Sequence, residues 1–291
     1  LIVVEADELI ANNITQLVCA SHDVIEGNPS ERIGLRRAIE IPSDSAEQQN
    51  LFRNVFQTKG YFGQFVHHPE IPVALYMATK AWLDKSIVYA IHKLSQSVAR
   101  ESITWWSTHP RHGQIFEKSS ELHADQVNTS VAINLAFSAI EELQLQVKSD
   151  ATNKRWLDNV TAEWNPLVLE DMKNRLAEAG VNPEHKVSWI LRGDESISEA
   201  EIKPTLGTPA PYSDSQVVRD LELTLPEALH FCSYIRNFMT AHKLSKVSAY
   251  LGPYEVHNVQ SVARLLILSK CGMWNVCAHD LSRKLEGKNS E

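Results

Sequence analysis

Apolar positions recur at three- and four-residue spacing over roughly two thirds of this chain, the signature of amphipathic helices. From Pro72 to Trp106, Leu83, Ile87, Ala90, Ile91, Leu94 and Val98 share one face and Lys85, Lys93, Gln96 and Arg100 the other. This predicts one long helix with Pro72 in its first turn. A second long helix is expected from Ala124 to Val147, with Val127, Val131, Leu135, Ala139, Leu143 and Val147 at successive fourth positions as its core stripe. Asn165-Pro166 opens a shorter helix with Leu169, Met172 and Leu176 inside and Gly180 just past its end, and Asn182-Pro183 opens another that stops near Gly193. Thr224 and Glu227 match a capping box, with Pro226 in the first turn of the helix they open. After Gly252-Pro253 a last helix carries Val256, Val259, Val262, Ala263, Leu266 and Ile267. "LIVVEA" at the start suits a strand, but no alternating run is long enough to predict a sheet.

The expected class is therefore all-α, mainly helical, in two parts. The turn-rich "STHPRHGQ" at 107–114 marks the boundary after an N-terminal helical region, 1–107, that would sense or bind something. Residues 193–217 form an irregular excursion rich in turn residues. No fixed-period repeat or low-complexity segment is visible.

Composition narrows the classes. With 43% hydrophobic residues the chain can fill an ordinary core. Lys80, Asp84 and Lys85 interrupt the most apolar stretch, which removes a membrane span there. The opening residues show no basic segment followed by an apolar one, so a secretory address is not indicated. Cys19, Cys232, Cys271 and Cys277 form no C-x-x-C pair, and a reducing cytoplasm fits them best. The net charge of −8 argues against a general polyanion binder while allowing a local basic site. No G-x-x-x-x-G-K-[ST], G-x-G-x-x-G or G-x-S-x-G is present, which weakens ATPase, dehydrogenase and hydrolase alternatives.

The chemistry concentrates in "YIRNFMTAHK", 234–243. On an uninterrupted helix from Leu225, the residues Leu225, Ala228, Leu229, Cys232, Ile235 and Met239 form one apolar face, and Arg236 falls within it. A guanidinium there needs a carboxylate, a carbonyl or a phosphate, or else a bend that carries it to a cleft. His242 lies about 120° around and about 9 Å along the axis from Arg236, so a long side chain or a local break is needed for both to meet one ligand. A histidine near its ordinary pKa can take a proton from a ribose 2′-hydroxyl, and an arginine can hold the phosphate through two parallel hydrogen bonds. Asn237 would add a neutral donor.

This R-N-x-x-x-x-H spacing of Arg236, Asn237 and His242 resembles the signature of HEPN domains. "LAFSAIEELQL" is similar to the first long helix of such domains and "EVHNVQSVARLLILSK" to the last, so the resemblance covers about 116–284 with 193–217 as an insertion. It implies a small helical bundle that usually dimerises, often a metal-independent endoribonuclease of antiviral defence or toxin systems, with room for an antitoxin or other regulatory partner. Two composite sites then commonly meet in one cleft. Lys243, Lys246 and Arg264 would supply positive charge for RNA there, and Glu141 or Glu142 would orient Arg236 or stand in solvent. No cofactor or metal is expected. His67-His68 and the His109/His112 pair lack the spacing of a metal site, although they keep a metal-dependent hydrolase as a weaker alternative. Arg111 could serve a nucleic acid or a partner, and Trp105-Trp106 suit a helix anchor better than a base-stacking platform. Many members of such a family are silent in catalysis, so the competing expectation is a helical scaffold that dimerises or binds a partner.

Overall fold

The computed structural model describes residues 7–27, 44–47, 49–50, 70–101, 122–149, 152–158, 163–192, 218–240 and 252–273. They are mainly helical, as the periodicity predicts. Helix α1, Glu8–Glu26, starts where the Asp7 carboxylate accepts the Ile10 N–H at 2.9 Å, and it ends at Gly27, whose φ of 71° suits a left-handed cap.

The single helix expected from Pro72 to Trp106 is two, α2 (Glu70–Ala81) and α3 (Lys85–Arg100). The chain turns at Trp82-Leu83, and the Asp84 carboxylate receives both the backbone N–H and the hydroxyl of Ser86 (2.9 and 2.6 Å), capping a new start. Leu83, expected on the inner face, lies in this turn and is 92% exposed. The proposed boundary at 107–114 and the strand "LIVVEA" lie outside the described residues.

Helix α4, His123–Glu142, ends before the expected Val147. Its inner face is Ala132, Ile133, Ala136, Phe137, Ala139 and Ile140, while Val127 and Val131 are exposed. A strict i+4 row gains about 40° per step on a 3.6-residue helix, so the row from Val127 starts in solvent and enters the core only at Ala139 and Leu143.

Next comes a small hairpin of β1 (Trp156–Asp158) and β2 (Glu163–Trp164). Helix α5, Pro166–Glu178, then opens as expected, with the Asn165 side chain accepting the Leu167 N–H, Met172 and Leu176 buried, and Gly180 at φ 74° beyond its end. The next element corrects the expectation. Asn182 again accepts a backbone N–H, from Glu184, but the chain continues as strand β3 (Lys186–Arg192), not as a helix. Val187, Trp189 and Ile190, β-branched or aromatic, are buried, and β3 pairs antiparallel with β4 (Val218–Thr224). The excursion at 193–217 lies outside the described residues.

Helix α6, Leu225–Tyr234, starts at the expected capping box, where the Glu227 carboxylate receives the Thr224 N–H and hydroxyl (2.9 and 2.8 Å). It is buried on nearly every side and runs into a π-helical turn, Ile235–Thr240. Helix α7, Pro253–Lys270, closes the described chain.

Helices α1, α3, α4 and α7 pack on one another, and their apolar residues form one continuous core with α2, α5, α6 and strand β3. Polar groups fix the register inside it. The Asn258 side-chain amide on α7 bonds both the N–H and the C=O of Ile190 (2.9 and 2.8 Å), and Gln260 reaches the Ser97 hydroxyl and the Glu101 carbonyl. Asp23 accepts from Ser95 at 2.6 Å between α1 and α3. No helix among the described residues is long and apolar enough to cross a membrane.

Candidate functional site

The change from α to π winding begins at Ile235, one residue before Arg236. A π turn widens the helix and alters which way its side chains face, and such turns gather at functional sites. Here Arg236 and Asn237 are part-buried, whereas Ile235 just before them is buried. Helix α4 holds the turn at two points. The Arg236 guanidinium stands 5.9 Å from the centre of the Phe137 ring, and the Thr240 hydroxyl reaches Asn134 Oδ1 at 2.8 Å and the Arg236 carbonyl at 3.0 Å.

Arg236 Nη1 donates to Asn237 Oδ1 at 2.8 Å. The Asn237 amide donates in turn to the Ser233 hydroxyl oxygen at 3.4 Å, and the same oxygen accepts from Arg155 Nη2 at 3.3 Å. Arg155 Nη1 meets His230 Nδ1 at 2.5 Å. A continuous polar line therefore runs from Arg155, just ahead of β1, through the buried Ser233 of α6 to Asn237 and Arg236, with the buried His230 as a branch at Arg155. Its base is fixed by Asn165, which donates to the carbonyls of Arg155 and Lys154 and so closes the hairpin. The paired Trp156 and Trp164 of that hairpin lie edge-on to the His230 ring, at 4.8 and 6.0 Å between centroids.

Burial and the Arg155 charge beside it push the His230 imidazole down to about 3. It is neutral at ordinary pH, accepts from Arg155 through Nδ1, and carries its proton on Nε2, which is buried without a hydrogen-bond partner. Burial also pulls the Arg155 guanidinium down to about 10, which leaves it charged. Among the described residues no carboxylate pairs with Arg155 or Arg236; their partners are an imidazole, a hydroxyl, an amide and an aromatic ring.

His242, Lys243 and Lys246 fall outside the described residues, as do Arg111, Trp105, Trp106 and the histidines at 67, 68, 109 and 112. Glu142 pairs with Lys93 of α3 at 2.5 Å, and Glu141 is half-buried on the same turn of α4, neither carboxylate being a partner of Arg236 among the described residues. Arg264 is part-buried against the end of α1, where it donates to the Ile25 carbonyl. Cys19, Cys232 and Cys271 are buried, and burial pushes the thiols of Cys232 and Cys271 up. Among the described residues no group of three His, Cys, Asp or Glu side chains could hold a metal ion.

Arg155, His230 and Ser233 were not expected from the sequence. The available signals were a histidine inside the apolar run "EALHFCSY" and two tryptophans flanking a turn. No protein-family model, curated protein or solved structure matches the chain.

Proposed function

We propose that the chain is a metal-independent endoribonuclease of the HEPN type, with Arg236 as phosphate clamp, Asn237 as its supporting polar partner and His242 as proton carrier. One observation carries the reading: the part-buried Arg236 on a π-helical turn is held by a neutral amide and an aromatic face, with no carboxylate beside it among the described residues. A cation so held keeps its charge for a ligand, whereas an arginine that locks a fold usually meets a carboxylate or carbonyls.

In the proposed reaction His242 takes the proton of a ribose 2′-hydroxyl as O2′ attacks the adjacent phosphorus. The bond to the 5′ oxygen of the next nucleotide breaks, and that oxygen takes up a proton. The upstream fragment leaves with a 2′,3′-cyclic phosphate and the downstream one with a 5′-hydroxyl, while Arg236 stabilises the charge gathering on the phosphate oxygens. DNA, lacking the 2′-hydroxyl, is not cut. A homodimer, a cytoplasmic setting, a role in antiviral defence or a toxin system, and a regulatory partner such as an antitoxin belong to the same proposal.

The competing reading is a silent scaffold, and it has its own support: the stacking of Arg236 over Phe137 and the Thr240–Asn134 bond join the turn to α4 as a packing device would. Cleavage of a panel of single-stranded and structured RNAs in chelator separates the two. Folded Arg236→Ala and His242→Ala proteins should both lose the cleavage that the unmodified protein shows, and cleavage that survives both substitutions assigns the stretch to the fold.

A further inference from the structure

An arginine removed from water needs its charge answered, and two other arginines in this fold show how that is done. Arg175 pairs with Asp171 at 2.8 Å and donates to the carbonyls of Gln144 and Gln146. Arg264 donates to the carbonyl of Ile25, with the Glu26 carboxylate close enough to favour its charge. Arg155 and Arg236 differ from both. Neither has a carboxylate among the described residues, although acidic residues outnumber Lys and Arg by 36 to 28 along the chain.

The two are also linked. Ser233 accepts from Arg155 and from Asn237 at one oxygen, so its hydroxyl ties the Arg155 fork to the amide that holds Arg236. The guanidinium groups are thus three side-chain hydrogen bonds apart on one edge of α6 and its π turn. Of the five N–H groups of an arginine, Arg155 uses two sites and Arg236 one, and the rest have no described partner. Donors in excess and acceptors that are all neutral describe a place for an anion.

We infer that Arg155 and Arg236 form a two-guanidinium cradle for consecutive phosphates of a single-stranded RNA backbone, with Arg155 holding the phosphate next to the one at Arg236. This rests on the ribonuclease reading for the role of Arg236, and it adds a binding subsite that contacts no reacting atom. The subsite recognises phosphate geometry rather than base identity, so it sets affinity and register along the strand. A phosphorylated peptide would offer one such group; a nucleic-acid strand offers a row of them.

The test uses the full chain and a short fluorescent single-stranded DNA, which carries the phosphates but lacks the 2′-hydroxyl and survives any ribonuclease. Its affinity is followed in chelator by anisotropy between about 50 and 200 mM salt. Each phosphate contact contributes about 0.7 to the slope of log K against log salt for a single strand. Arg155→Gln should reduce the slope by about that amount, while Arg155→Lys, which keeps the charge without the fork, should retain it. An unchanged slope in a folded Arg155→Gln protein overturns the proposal, and so does an equal loss in Arg155→Lys, because charge is then not what matters. If Arg155→Gln does not fold, the unmodified protein decides: a slope smaller than about 1.4, the value for two contacts, overturns the cradle, and a slope at or above it supports the cradle. Cleavage of the matching RNA is read separately. A slope that depends on Arg155 without any cleavage would remove the ribonuclease reading and leave the binding site. Cleavage dependent on Arg236 and His242, with a slope indifferent to Arg155, would remove the subsite alone.

Discussion

His230 makes the stability of this fold depend on pH in a direction opposite to that of an exposed histidine paired with a carboxylate. Its imidazole is buried, touches Trp156, Trp164 and Phe231, and faces the positive charge of Arg155, so it holds no proton on Nδ1 until about pH 3. In the unfolded chain the same group titrates near 6.5. Between those values the unfolded state binds more protons than the folded one, so stability is fully present above the unfolded pKa and falls as pH drops toward the folded one. From about pH 7.5 to pH 5 the loss assigned to this one group is about 2 kcal/mol, a little under 1.4 kcal/mol for each unit below 6.5. Among the described residues, two other groups with ordinary values near this range are shifted as well. Burial lowers His92, which adds to the loss, and raises Glu101, which opposes it. His230→Asn isolates the term, because Oδ1 of asparagine stands near the position of Nδ1 and keeps an acceptor for Arg155 while removing the titration. Urea unfolding of both proteins at the two pH values should show the unmodified chain losing about 2 kcal/mol more than the variant. Equal losses in the two proteins would mean that His230 is either charged in the fold or not buried in solution, and the neutral acceptor in the polar line would have to be abandoned.

Two further outcomes test the frame and the site. Asn258→Ala removes both hydrogen bonds to the backbone of Ile190 in a buried position and should destabilise by about 3 kcal/mol or more in urea unfolding; a loss below about 1 kcal/mol would show that water reaches the strand. Arg236→Met keeps the bulk over Phe137 and loses one hydrogen bond, while the cost of holding an unanswered charge disappears. Thermal unfolding should therefore place it within about 1 kcal/mol of the unmodified protein, and a loss of about 3 kcal/mol or more would assign Arg236 to locking the fold.

Local chemistry was legible in the sequence wherever the responsible groups are neighbours in the chain. The Thr224–Glu227 box and the Asn165-Pro166 start are both formed by atoms within three residues of one another. Asn182-Pro183 shows the limit of such signals: the side chain caps Glu184 as expected, but the strand that follows is set by β4, which begins 26 residues beyond Arg192. An Asn-Pro pair announces a turn of the chain without saying what the next partner will be. The stripe from Val127 holds only from Ala139 onward, to Leu143 and Val147, for a geometric reason, since spacing by four is a neighbour relation on the helix surface and not a constant direction. Arg155 was out of reach because its contact with His230 spans 75 residues, and no local pattern distinguishes an arginine that will be desolvated from one that will not.

The sequence did pose the right difficulty at Arg236, and the fold resolves it in two steps. The helix leaves α winding at Ile235, and Arg236, in that π turn, is part-buried at the margin of the core. Asn237, adjacent in the chain, then supplies an acceptor without supplying a counter-charge. A carboxylate in that position would hold the arginine more firmly and would also compete with any anionic ligand. An amide orients the guanidinium and leaves its charge unspent, and Ser233 and Arg155 extend the same neutral linkage to a second cation. In the proposed ribonuclease, two cations whose partners among the described residues are all neutral are kept for phosphate, in a chain whose net charge is −8. The arrangement of neutral partners, more than the Arg-to-His spacing, is therefore the physical ground on which the proposed contact with phosphate rests.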